Sequence, residues 1–216
     1  MIGTKRKDIK KIEEFIKPFK KFYLIGCGDC ATVCKTGGEG EVKEFKRYLE
    51  KNKKEVAGWH ILDEACDLRL AKKLFRQEKE KIEKADVILV FACGSGVQTV
   101  AESTSIKVLP MLDSIFIGGI ENLSSFKELC SVCGDCILDM TTGLCPVTRC
   151  PKGLVNGPCG GSDNGKCEEN QELDCIWYLI YERLKKRNEL DTLKKSPILK
   201  NFQASKKPRS IKLSRR

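Results

Sequence analysis

Residues 86–96 read DVILVFACGSG, an apolar run that ends on Cys93 and two closely spaced glycines. A short apolar stretch bounded in this way predicts a strand buried on both faces, as in a parallel sheet. Outward from it, Phe22 to Ile25 is a second such run, and it ends in Gly26 and Cys27. Glu55 to Leu62 and Lys107 to Leu112 are further strand candidates, with Ile115 to Ile117 beside the last. Helical spacing lies between and around them. Lys7 to Lys20 carries Ile9, Ile12, Phe15, Ile16 and Phe19, while Glu41 to Asn52 carries Val42, Phe45 and Leu49. Leu68 to Ile82 is helical, and a further helix should follow Ala92. Strands alternating with helices at this pace imply βαβ units. The fold class is therefore α/β: a small parallel sheet with flanking helices, followed by a cysteine-rich metal-bound module and a C-terminal helix.

After Phe126 the texture changes. Residues 130–175 hold eight cysteines among Gly, Pro and Asp, with no sustained apolar period. So small a segment buries too little surface to fold alone and needs metal centres as its core. Helical spacing returns from Gln171 to Leu190, and that helix is expected to pack the module against the first domain. The expected division is an N-terminal amphipathic helix (1–21), an α/β domain with the first cysteine cluster (22–126), an iron–sulfur module with its packing helix (127–190) and a basic, disordered tail (191–216).

The charge of +10 is localised: residues 192–216 carry nine Lys or Arg and no acid, leaving about +1 for the remainder. The basic excess is thus a tail property and a poor argument for a nucleic-acid-binding surface. No apolar stretch is long enough to span a bilayer, and no apolar segment follows the basic start as in a signal peptide. A cytoplasmic location is the default expectation.

Thirteen cysteines accompany a single histidine, His60. An odd thiol count without signs of an oxidising compartment argues against a disulfide framework, and one histidine cannot supply mixed Cys/His zinc sites. Thiolates holding metal remain. Loops at the carboxyl ends of parallel strands share one edge. Cys27, Cys66 and Cys93 each follow a predicted strand, and Cys30 and Cys34 belong to the loop that Cys27 opens. These five should gather at that edge around a 4Fe–4S cluster, although Cys66 alone also reads as a small buried side chain. The second group is Cys130, Cys133, Cys136, Cys145, Cys150, Cys159, Cys167 and Cys175. Its first three match the start of the bacterial ferredoxin run, but the spacer to the next Cys-Pro is longer, so the fourth ligand stays open. By count these eight fill two four-thiolate sites: two 4Fe–4S clusters, or one cluster and one zinc.

No Ser/His/Asp set, paired-carboxylate pattern or Walker motif is visible, and Cys93-Gly94-Ser95-Gly96 lacks the third glycine of a dinucleotide loop. No catalytic or organic-cofactor residues are therefore assigned. A cluster-rich chain without chemistry of its own is best explained as a conduit for electrons.

GCGDCATVCKTGGEGEV at 26–42 and CSVCGDCILDMTTGLCPVTRCPKGLVNGPCGGSDNGKCE at 130–168, with QTVAE at 98–102 and Cys175-Ile176-Trp177, together resemble the C-terminal-domain family of methylenetetrahydrofolate reductases. That family includes the small iron–sulfur partner subunit of the two-subunit reductase of acetogenic bacteria. The likeness runs from about Tyr23 to Leu184, leaving out the N-terminal helix and the tail. It implies iron–sulfur centres, with zinc also proposed, and a flavin-bearing barrel subunit as partner. It further implies ferredoxin or another donor as electron source and a role in one-carbon metabolism. All thirteen cysteines carry over as metal ligands, without their pairing. Two other classes stay open: a zinc-stabilised nucleic-acid-binding module, and a corrinoid or methyl-transfer accessory protein.

Overall fold

The apolar runs at 22–25 and 87–91 become the two central strands of a parallel sheet in the computed structural model, which describes residues 1–122, 124–194 and 197–212. The chain divides into two units, Met1–Phe116 and Ile117–Arg216.

The first unit opens with strand β1 (Ile2–Arg6), helix α1 (Ile9–Ile16), strand β2 (Lys21–Cys27) and a short helix α2 (Cys30–Val33). It continues through α3 (Glu39–Lys51), β3 (Glu55–Leu62), α4 (Leu68–Gln77), α5 (Lys79–Ile82), β4 (Val87–Phe91), α6 (Gly94–Ala101) and β5 (Lys107–Pro110). The sheet order is β3-β2-β4-β5 and every pairing is parallel. Leu24 stands level with Trp59 on one side and Leu89 on the other.

Alternation along the strands explains why these runs are apolar throughout. Tyr23, Ile25, Ile88 and Val90 face one core, shared with Ala71 and Leu74 of α4, Ile82 of α5 and Val100 of α6. Phe22, Leu24, Val87 and Leu89 face the other, shared with Ile12 and Ile16 of α1 and Val42 and Leu49 of α3. Each such side chain, fully buried, contributes about 1.5–3 kcal/mol of transfer free energy.

Several expectations shift. The N-terminal helix is shorter than residues 7–20: Asp8 caps it by accepting from the N–H groups of Lys10 and Lys11 (2.8 and 3.4 Å), and Pro18 stops it. The helix expected over 68–82 breaks at Glu78, which leaves helical geometry. Strand β6 (Leu112–Asn122) is much longer than Ile115 to Ile117; it lies beside β1, and its later half pairs antiparallel with β7 (Ser125–Cys130).

In the second unit, α7 (Pro146–Arg149) is followed by the hairpin β8 (Lys166–Cys167) and β9 (Asn170–Asp174) and by α8 (Ile176–Lys186). Residues 171–174, expected to open the C-terminal helix, are instead strand, because they pair with β8 and leave Leu173 exposed. The apolar face of α8 (Ile176, Trp177, Ile180 and Leu184) packs on Leu144. The described part of the tail contains two single turns of 3-10 helix, Leu190–Lys194 and Phe202–Ser205. No helix among the described residues is long and apolar enough to cross a membrane.

Candidate metal centres

In the first unit the chain leaves β2 for β3 on one side, then crosses back to β4 on the other. Such a reversal opens a crevice beyond the carboxyl ends of the two adjacent strands, the usual ligand position in open α/β sheets. Cys27 ends β2 and Cys93 caps α6 just past β4, so both stand at this crevice, and both are buried. Cys30 opens α2, and Cys66 follows β3.

The loop carrying Cys27, Cys30 and Cys34 is closed by its own backbone. Cys27 N–H donates to Gly37 O at 3.0 Å, and Thr32 Oγ1 donates to Cys27 O at 2.7 Å. Strand β1 reaches the same loop: Ile2 N–H donates to Cys30 Sγ at 3.4 Å, and Cys34 Sγ lies 3.7 Å from Ile2 O. Burial pushes the Cys30 thiol up, and Asp29 and Cys93 act in the same direction. Burial also raises Cys66, helped by Cys93 and Cys27. Cys93 is thus within electrostatic reach of Cys30 and Cys66, and Cys27 of Cys66, while Cys30 and Cys34 both face the β1 backbone at Ile2. Crowded thiols resist ionisation alone, and a bound cation reverses that preference.

In the second unit, Cys150, Cys159, Cys167 and Cys175 line one small cavity of about 20 Å³, together with Pro151 and Pro158. Trp177 closes it and is fixed by its indole N–H, which donates to Leu154 O at 2.9 Å. Glu168 stands at the same cavity, paired with Lys152 at 2.5 Å and 3.2 Å from Cys159 Sγ; Lys152 first and Cys159 second hold its carboxyl below the usual range. Cys130 ends β7, and Cys133 and Cys136 follow it on a loop whose Val132 (φ 55°) and Gly134 (φ 85°) are left-handed. Burial pushes the Cys133 thiol up, but the nearby Lys200 ammonium, the Asp135 backbone and the Ser131 side chain outweigh it, and the net shift is downward. Cys145 begins α7 and Cys150 ends it, so the two thiols flank one short helix.

None of the thirteen cysteines is in a disulfide. Backbone N–H groups point at three of the sulfurs: Ile2 at Cys30, Val132 at Cys130 (3.3 Å) and Gly161 at Cys159 (3.4 Å). This is the polarity that favours thiolate ligands, so the donor set fits iron–sulfur or zinc chemistry. Among the described residues, no three His, Cys, Asp or Glu side chains are already placed to hold an ion.

Comparison with known families bears on this second group of thiols. Residues 109–203 match the family described as methylene-tetrahydrofolate reductase C terminal. All eight cysteines from Cys130 to Cys175 fall inside the match to this reductase family, and Cys27, Cys30, Cys34, Cys66 and Cys93 precede it. The match also takes in the first part of the basic tail, including Lys200, beyond the Leu184 limit of the motif resemblance. No curated protein and no solved structure matches the chain.

Sequence reasoning missed the tail as part of this unit, and missed the β1 backbone beside Cys30 and Cys34. Lys200 and Ile2 carry no motif. Only the folded chain brings them to the cysteine loops.

Proposed function

We propose that the chain is the iron–sulfur electron-transfer subunit of a methylenetetrahydrofolate reductase complex, passing electrons to a flavin-bearing barrel subunit. One observation carries this reading: the segment matched to that reductase family holds eight thiols, none of them in a disulfide. The thiols at and beside the carboxyl ends of β2, β3 and β4 support it from the other unit. Cys27, Cys30, Cys66 and Cys93 would hold one centre, with Cys34 as the spare fifth thiol. Cys150, Cys159, Cys167 and Cys175 would hold a second, and Cys130, Cys133, Cys136 and Cys145 a third. When bound, 4Fe–4S clusters supply one-electron storage, and their potentials follow cluster charge, N–H···S hydrogen bonds and exposure. Ferredoxin or a similar low-potential carrier would be the donor. The proposal assigns this chain no catalytic residue.

A second reading applies to one site. Cys150, Cys159, Cys167 and Cys175 line one small cavity, and four thiolates suit a single zinc ion as well as a cluster. The test of the function is anaerobic co-expression with a flavin-bearing barrel subunit from the same organism. The reading expects co-purification and faster reduction of the flavin by a low-potential donor when this chain is present. Absence of a complex, together with flavin reduction that ignores this chain, would count against it.

A further inference from the structure

The basic segment after Leu193 has no role in the proposed electron transfer, and its charge invites assignment to a nucleic-acid partner. Several of its described residues, Lys200 and Arg209 among the basic ones, bond to the rest of their own unit. Ile198 N–H donates to Asn156 Oδ1 at 2.5 Å, and Asn156 Nδ2 donates back to Ile198 O at 3.2 Å. Asn201 N–H donates to Asp135 Oδ2 at 2.6 Å, and Lys200 Nζ donates to Asp135 O. Arg209 Nη1 donates to Val132 O at 2.7 Å and to Ala204 O at 3.3 Å. At the contact, a β-carbon on Gly134 would fall 2.5 Å from Ala204 O, so the loop meets the tail closely enough to require glycine there.

We propose that residues 197–212 form an intramolecular strap across the two cysteine loops, 130–136 and 156–160, with Lys200 as the positioning residue that fixes the first loop and places a positive charge on the Asp135 carbonyl, 3.6 Å from Cys133 Sγ. The strap accounts for two features that otherwise stand alone. Val132 is β-branched and left-handed, a conformation that persists only where surroundings over-determine it, and Arg209 binds its carbonyl. Asp135 lies between two cysteines and turns both its carbonyl and its carboxylate to the tail. A cation held next to a ligand sulfur favours the more negative, reduced state of whatever centre that sulfur holds. This second half rests on the iron–sulfur reading; the strap itself does not.

The test uses the full chain, purified anaerobically, and its Lys200→Ala, Lys200→Glu and Lys200→Arg variants. Amide hydrogen exchange over 131–136 and 156–160 reads the strap whether or not metal is bound. The reduced fraction at a fixed poise, read from the electron paramagnetic resonance signal, reads the charge. Exchange in 131–136 should rise in Lys200→Ala and Lys200→Glu. The reduced-to-oxidised ratio should fall about threefold in Lys200→Ala and further in Lys200→Glu, with Lys200→Arg near the parent, as expected for one partly exposed charge. Unchanged exchange in every variant would overturn the strap. Faster exchange with an unmoved ratio would overturn the role of the Lys200 charge. Absence of iron would sink the electron-transfer reading and leave the strap to be decided by exchange alone.

Discussion

Gly37 lies so close to the end of β4 that a methyl group on its α-carbon would fall 2.2 Å from the carbonyl oxygen of Phe91. The same residue accepts the Cys27 N–H, so the cysteine loop is seated by an approach that only glycine permits. Gly37→Ala must lift the loop away from β4. A loss of about 1–3 kcal/mol is expected from overpacking, read as a lower urea midpoint, together with fewer metal atoms per chain. Parent-like stability and metal content would show that the contact does not matter.

Thiols that share one centre should fail as a group. Cys27→Ser and Cys93→Ser are each expected to lower metal content by the same amount, and the double variant by no more. Cys150→Ser and Cys175→Ser should behave likewise, independently of the first pair. Elemental analysis of the anaerobic protein checks this, and additive losses within a pair would separate the two cysteines.

Trp177 closes the cavity shared by Cys150, Cys159, Cys167 and Cys175 while its N–H satisfies Leu154 O. Trp177→Phe keeps an aromatic ring and removes that hydrogen bond, at a cost of about 1 kcal/mol. The second unit should release metal to a chelator several times faster, with the Cys27 site unaffected. Equal release rates would contradict the cavity assignment.

Asp86 precedes β4 and accepts the N–H groups of Lys20 and Lys21 at 2.9 and 2.8 Å, which holds its carboxyl below the usual range. A carboxyl depressed in the folded state adds stability that is present above its unfolded value. That stability is lost as pH falls through the lower folded value. The urea midpoint of Asp86→Ala should therefore lie below the parent near pH 7, and the gap should close as the solution is acidified below about pH 3.9. A gap independent of pH would assign the effect to something other than this carboxylate.

The parallel sheet was legible because Phe22 to Ile25 and Val87 to Phe91 are buried on both faces, and runs that are apolar, too short for a helix and soon followed by glycine point to strand. Placement at one edge followed from topology, since loops after parallel strands end together: Cys27 ends β2, Cys93 lies just past β4 and Cys66 follows β3. Strand β9 was not legible: its five residues are all exposed, so no burial pattern marks it, and its pairing with β8 decides its conformation. Which thiols of the second group face one cavity was equally hidden. Spacing through Gly- and Pro-rich loops sets contour length, not direction. The tail read as unstructured because its contacts are scattered hydrogen bonds to backbone, amide and carboxylate groups, which leave no periodic trace.

The central claim is that this chain's thiolates hold iron and sulfide. Purification without oxygen, followed by iron, acid-labile sulfide and zinc determination on the same sample, tests it most directly. The account predicts a brown protein with iron and sulfide in equal amounts, at no fewer than about four of each per chain. A colourless protein carrying zinc alone, or no metal, would contradict it.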